Sequence, residues 1–321
     1  MSTATGAIVE ILPPLTLPAR RGRWRTIARD LRRNRQVYLM LLPVLLYYLI
    51  FHYGPMYGAV IAFEDFNPVR GVFGSPWVGF QNFQDFFSSV YFTRLIFNTL
   101  AINVLDLVIG FPAPIILALL ITELRWNPFR RLVQTATYLP HFISVVVVVG
   151  MLFDFFARDG LVNQVVATTQ PIAFMQAPEW FRQLFVGSGI WQHVGWKSIV
   201  FLAAIAAVDP TLYEAAKVDG ANRFQQVRHI TIPGIMPTIV ILLILQIGTM
   251  MTVGYEKIIL MYNPLTYETA DVISTYVFRR GILQADFSFS AAVGLFNSVI
   301  NFALLIAANK VGRRVAETSL W

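Results

Sequence analysis

Eight side chains stand inside apolar runs that give them no obvious reason to be there. They are Trp191, Gln192 and Lys197, then Gln246, Thr249 and Glu256, then Asn297 and Asn301. Polar groups are expensive in hydrocarbon, so an intramembrane one marks a functional path by default. Gln246, Thr249, Val253 and Glu256 recur at three- and four-residue spacing and fall roughly on one helix face. Asn297 and Asn301 lie one turn apart. Planar amides together with an aromatic face are the chemistry that binds sugars, so these residues are substrate-path candidates. The competing reading is that buried Asn and Gln only tie helices together, at about 0.6 kcal/mol each. Asn98, Asn103 and Asp106 form a further polar set. Lys197 reads as the only cation within the membrane, and Asp106 is its expected counter-charge.

Other chemistries are excluded or unsupported. The chain has no cysteine, which removes disulfides, zinc–thiolate sites and catalytic thiols. His52, His141, His193 and His229 are scattered without metal-ligand spacing, and no metal is expected. No G-x-x-x-x-G-K-[ST] occurs, so the chain carries no phosphate-cradling loop of that type. A polytopic membrane enzyme would need clustered carboxylates or His–Asp pairs at one face, whereas Asp65, Asp85, Glu123, Asp154 and Asp159 are dispersed. An ion-coupled secondary transporter predicts internal repeats and broken helices with paired charges, and no repeat is visible. These two classes are the alternatives to an ATP-driven transport subunit.

The elements that must position such residues follow from composition. The 321 residues are 56% apolar and 13% charged, against about 25% charged in soluble domains. This is an all-α integral membrane protein with about six transmembrane helices. The candidate spans are Val37–Phe63, Phe97–Ile121, Leu132–Phe156, Phe185–Val208, Met236–Tyr255 and Phe289–Asn309. With the N-terminus inside, 17 Lys and Arg fall in the cytoplasm and 7 outside. The positive-inside rule therefore puts both termini in the cytoplasm. The net charge of +7 is read as loop charge attracted to membrane lipid, with no nucleic-acid partner. Residues 1–36 form a basic cytoplasmic segment and 37–321 the membrane domain. No secretory signal peptide is visible, and the first apolar run is expected to stay as an anchor. The outside loops 64–96, 157–184 and 256–288 are rich in aromatics, as docking surfaces or as interfacial belts.

One cytoplasmic stretch, 209–235, departs from the apolar pattern. Its centre, Tyr213–Gly234, reads YEAAKVDGANRFQQVRHITIPG. Asp209 can cap a helix and Pro210 suits its first position. Thr211–Asp219 then reads as a short helix that Gly220 ends in a left-handed conformation. Ala221–Ile230 reads as a second short helix, stopped by Pro233 and Pro237. Ala215, Ala216 and Ala221 allow another backbone to approach closely, and Glu214 and Asp219 supply negative charge. The bland alternative is an amphipathic connector at the membrane surface.

The order E-A-A, D-G-A and I-T-I-P here resembles the cytoplasmic coupling loop of bacterial ABC importer permeases. The matching residues are Glu214, Ala215, Ala216, Asp219, Gly220, Ala221, Ile230 and Pro233. The segments GYEKIILMYNPLTYETADVISTYVFRRG (254–281) and AVGLFNSVIN (292–301), with the closing SLW, resemble the carbohydrate branch of these permeases. Within it they look most like the group for complex oligosaccharides associated with polysaccharide lyases. The resemblance covers most of residues 35–321. It implies a type I ABC importer permease fold in a bacterial inner membrane. It also implies an ATPase dimer that carries ATP and Mg on its own chains, with no cofactor in this one. The loop would seat in a groove of that ATPase, Glu214 making a polar contact and Gly220 forming the turn. A second, paralogous permease subunit and a periplasmic or lipid-anchored solute-binding protein complete the implied assembly. The implied cargo is an oligosaccharide, with an acidic, alginate-type one the narrowest expectation.

Overall fold

The computed structural model describes residues 33–166 and 170–316. Most of the basic segment 1–36 and the closing Ser319–Trp321 lie outside the described residues. Among those described, no strand forms; one isolated bridge joins Glu64 and Trp77.

Four helices are long and apolar enough to cross a membrane: α1 (Arg35–Phe63), α3 (Phe92–Glu123), α8 (Arg223–Ile247) and α11 (Phe287–Ala316). Two bent pairs bring the total to as many as six. One pair is α4 (Asn127–Phe142) with α5 (Val145–Phe155), bent by 101°. The other is α6 (Pro178–Ala206) with α7 (Pro210–Val218), bent by 68°. Shorter helices α2 (Gln81–Ser88), α9 (Tyr255–Met261) and α10 (Ile273–Phe278) lie in the connections. The chain divides at Gly58 into an N-terminal unit carrying most of α1 and a larger unit from Ala59 onward. The site lies wholly in the larger unit.

Prolines shape the spans without ending them. Three π turns, Leu49–Tyr53, Asp106–Gly110 and Val227–Thr231, each end two residues before a proline: Pro55, Pro112 and Pro233. A proline ring collides with the carbonyl four residues back and leaves it without a donor. Widening the preceding turn relieves that crowding. The expectation that Pro233 and Pro237 close a short second helix is therefore corrected. That helix starts at Arg223 and runs on through both prolines to Ile247 as the fifth span.

The best-packed core is not at mid-span but where the connections fold back onto the helices. Ile102, Val149, Leu184, Ile258, Met261, Ala270 and Val272 pack into one buried cluster. Phe86, Leu95, Ile273, Tyr276, Phe289 and Val293 make a second. Residues 253–286 are thus part of the bundle wall, and the expectation of an outside loop beginning at residue 256 needs that correction. Two close approaches fix the spans. The α-carbon of Gly195 on α6 lies so near the Thr137 carbonyl of α4 that any side chain would overlap it. Gln192 Nε2 donates to the Ile143 carbonyl at 2.8 Å, satisfying a group freed by the bend between α4 and α5.

Candidate functional site

The fold assembles two regions that could do work. The first is a cavity of about 520 Å³ between α3, α6, the end of α8 and α9. That volume is in the usual range of a small-molecule site. Gln192, Lys197, Gln246, Thr249 and Glu256 all border it. Trp191, Asn297 and Asn301 do not. Trp191 is 44% exposed on another face of α6. Asn297 borders a separate cavity beside Ile273 and Gly281. Asn301 sits behind Thr252, donating to its hydroxyl at 2.9 Å and accepting from the Met251 amide at 2.9 Å. Glu256 is not on the fifth span as the spacing suggested, because that helix ends at Ile247; it belongs to the first turn of α9.

Two charge assignments change. Asp106 does not pair with Lys197: its Oδ2 accepts from Gln246 Nε2 at 2.9 Å, and no ion pair joins the two among the described residues. Nor is Lys197 the sole cation, since Lys257 borders the same cavity. Lys257 Nζ donates to the Phe185 carbonyl at 2.8 Å and sits 4.8 Å from the centre of the Phe185 ring. Sequence missed Lys257 because α9 folds back beside α6 instead of standing outside. It also missed the meeting of His141 and His193, whose Nδ1 atoms lie 3.1 Å apart. No cluster of three potential metal ligands forms among the described residues. Chemically, the cavity offers two ammonium groups, two carboxylates, amides and hydroxyls. Such a wall can hold a polyhydroxylated ligand that carries charge.

Local packing sets the Asp106 carboxylate. It occupies the first residue of the π turn Asp106–Gly110, and a side chain on Gly110 would overlap Asp106 Oδ1. Gly110→Ala is therefore expected to push Asp106 out of its bond with Gln246. Uptake measured in proteoliposomes should fall about tenfold, as for loss of one charged hydrogen bond, while membrane insertion, followed by gel filtration, stays normal. Unchanged uptake would show that the Asp106–Gln246 contact is dispensable.

The second region is the helix–turn–helix of residues 209–235. Asp209 caps α7, its Oδ1 accepting from the Thr211 amide at 2.9 Å. That bond stabilises the charged form and holds the Asp209 carboxyl below the usual carboxylate range. The cap is thus present at neutral pH and lost only as acid protonates it. Gly220 has φ +77°, the left-handed region a glycine adopts without strain. Around it the Ala221 amide bonds the Ala216 carbonyl and the Gly220 amide bonds the Lys217 carbonyl, the paired closure of a Schellman turn. Asn222 and Gln225 then form a reciprocal capping box that starts α8. Tyr213 Oη meets Thr231 Oγ1 at 2.9 Å and ties the two helices together. Glu214, Ala215, Asp219, Gly220 and Pro233 are exposed, while Ala216, Ala221 and Ile230 are half-buried. Leu212, Val218 and Phe224 are exposed beside them, at 51%, 88% and 72%. Val218 and Phe224 were not picked out from sequence, although an apolar residue in so polar a stretch is the signal that could have found them.

Residues 110–317 match the model of the binding-protein-dependent transport system inner membrane component family. The chain belongs to this family. The permease is 46% identical over 294 residues to Protein LplB of Bacillus subtilis (strain 168), covering 91% of this chain and 92% of that one. It is 44% identical to the polygalacturonan/rhamnogalacturonan transport system permease protein YteP of the same organism, covering 90% and 91%. A crystal structure of a bacterial alginate ABC transporter, in complex with an alginate pentasaccharide-bound periplasmic protein, contains a similar chain. The TM-score is 0.84 at 43% identity, with 91% of this chain and 99% of that one covered. The permease is thus a multi-pass membrane transport subunit with the type I ABC importer fold, not an enzyme. The helix–turn–helix and most of the cavity residues lie inside the family match.

Proposed function

We propose that this permease carries acidic oligosaccharides, chains containing uronic acid units, across a bacterial inner membrane. It would do so as one of two paralogous permease subunits driven by a separate ATPase dimer. A periplasmic or lipid-anchored solute-binding protein delivers the cargo. ATP and Mg belong to the ATPase, and this chain holds no cofactor. The observation that carries the cargo assignment is the pair Lys197 and Lys257, both bordering one cavity. Ammonium groups there offset the cost of bringing a carboxylate out of water, and Asp106, Glu256 and Gln192 can accept from or donate to hydroxyls. Polygalacturonan and alginate, named for two of the similar proteins, are polymers of uronic acids.

The helix–turn–helix supplies the drive. ATP closes the ATPase dimer, the two helix–turn–helix units move together, and the cavity turns from one side of the membrane to the other. Support comes from the exposed Glu214, Asp219, Val218 and Phe224, a mixed polar and apolar surface suited to a soluble partner.

The test is ATP hydrolysis by the complex purified with its partner subunits and reconstituted in liposomes with the solute-binding protein. Uronate oligosaccharides are expected to stimulate it and neutral ones of equal length are not. Stimulation by neutral sugars alone would refute the acidic cargo, and stimulation by neither would refute an oligosaccharide cargo.

A further inference from the structure

A further pocket, about 320 Å³ in volume, opens at the end of the bundle away from the helix–turn–helix. Its position follows from topology. Glu123, at the far end of α3, pairs with Arg223 beside the helix–turn–helix at 3.8 Å, so the Phe92 end of α3 is the opposite one. Arg94 lies at that end, and the connection between the fifth and sixth spans packs against it. The pocket is walled by Arg94, Arg279, Arg280, Tyr91, Tyr267 and Gln284.

Its charge is not balanced. Asp271 is fully buried and takes two bonds from Arg279, at 2.8 and 2.7 Å, with Arg94 Nη2 more distant at 3.5 Å. Asp286 pairs with Arg280 at 2.7 Å. Three guanidinium groups thus share two carboxylates. The Nε atoms of Arg94 and Arg280 are both buried with no hydrogen-bond acceptor. Yet the side chains remain 36% and 37% exposed, and their terminal nitrogens are only loosely held apart from the Arg280–Asp286 contact: Arg94 Nη2 is 3.5 Å from Asp271 and Arg280 Nη1 is 3.4 Å from Gln284. A guanidinium fork is built for a planar carboxylate, and tyrosine rings with an amide suit a sugar ring.

We infer that this pocket is a uronate-binding subsite on the outer face of the permease, separate from the cavity between the spans. It takes the carboxylate of one sugar unit on Arg94 and Arg280, with Tyr91, Tyr267 and Gln284 in the wall beside the sugar. The inference rests on the acidic-cargo reading and adds to it a point where the oligosaccharide is held before it enters the cavity.

The experiment is site-resolved protection from phenylglyoxal, which modifies accessible arginines. Full-length protein with its co-purifying subunits, in nanodiscs and without solute-binding protein, is treated with or without a galacturonic acid trimer or maltotriose. Modification of Arg94 and Arg280 is read by peptide mass spectrometry. The galacturonate trimer is expected to slow modification of both about tenfold and maltotriose to leave it unchanged. In Arg94→Gln, which keeps the Arg279–Asp271 pair, protecting Arg280 should need about tenfold more trimer. No protection in the unmodified protein, or equal protection by maltotriose, overturns the subsite. So does protection that appears only on adding sugar-free solute-binding protein, since the occupant would then be an acidic side chain of that protein. Protection without stimulation of ATP hydrolysis leaves the subsite standing and removes the cargo assignment. Stimulation without protection does the reverse.

Discussion

Asp271→Ala is expected to destabilise the permease by about 3–5 kcal/mol, the cost of removing one member of a buried ion pair. Asp271 has no exposed side-chain surface and Arg279 only 22%. The carboxylate takes both forks of Arg279 and the Thr275 hydroxyl at 2.8 Å. Those two bonds hold the Arg279 guanidinium above its ordinary range. Removing the carboxylate strands a cation against Tyr267 and Tyr276, whose rings lie 5.3 and 5.8 Å from it. The damage would spread, because the same loop is pinned to two spans. Asn98 on α3 donates to the backbone carbonyls of Glu268 and Asp271, both at 2.9 Å, and Arg182 on α6 donates to Asn98 Oδ1 at 2.8 Å. A detergent melting curve checks this: Asp271→Ala should give little folded protein or a much lower Tm. Arg94→Gln, at a longer and more exposed contact, should melt nearly normally. Equal melting of Asp271→Ala and the unmodified protein would show that the loop is held by its apolar contacts alone.

The second large effect concerns coupling. Val218→Ala with Phe224→Ala removes the two most exposed apolar groups of the helix–turn–helix, and Glu214→Ala removes one of its three exposed acids. None of the three side chains supports the fold of the motif. That task falls to Asp209, the Schellman closure at Gly220, the Asn222–Gln225 box and the Tyr213–Thr231 bond. The double variant should therefore insert and fold normally. Cargo-stimulated ATP hydrolysis should drop by about a hundredfold, as for loss of apolar anchors at the centre of an interface. Glu214→Ala should give a smaller loss, since a rim contact to water-exposed charge is worth less. Hydrolysis that stays fully stimulated in the double variant would mean the ATPase is gripped elsewhere.

How much of this was legible in the sequence depends on how local the signal was. Asp209, Pro210 and Gly220 act within one turn of themselves, so their capping roles read directly from residue type. Four of the six spans read well for the same reason, since twenty apolar residues carry their own signal, whereas the expected span Leu132–Phe156 is broken by a bend of 101°. Pro233 misled because a membrane helix tolerates proline by widening its preceding turn, which residue type alone does not announce. Non-local contacts were out of reach. Lys257 enters the cavity only because residues 253–286 fold back against α3 and α6, and that depends on Asn98 and Asp271 meeting across 173 positions. Asn98 read as a candidate for the path and proves to be a brace for the loop. Gln192 read the same way; it borders the cavity and also supports the bend at Ile143.

The chain has no cysteine, so an introduced thiol is the only one on the permease. Val218→Cys places it at the most exposed apolar point of the helix–turn–helix, 88% exposed in the permease alone. The measurement is crosslinking of that thiol, with a short photoactivatable reagent, in the complex purified from membranes. A product joining the permease to a soluble ATPase subunit, with a yield that changes when ATP is added, is the predicted result. A complex that co-purifies intact with its ATPase, yet gives no such product with or without ATP, would contradict the claim that this loop carries the drive for transport.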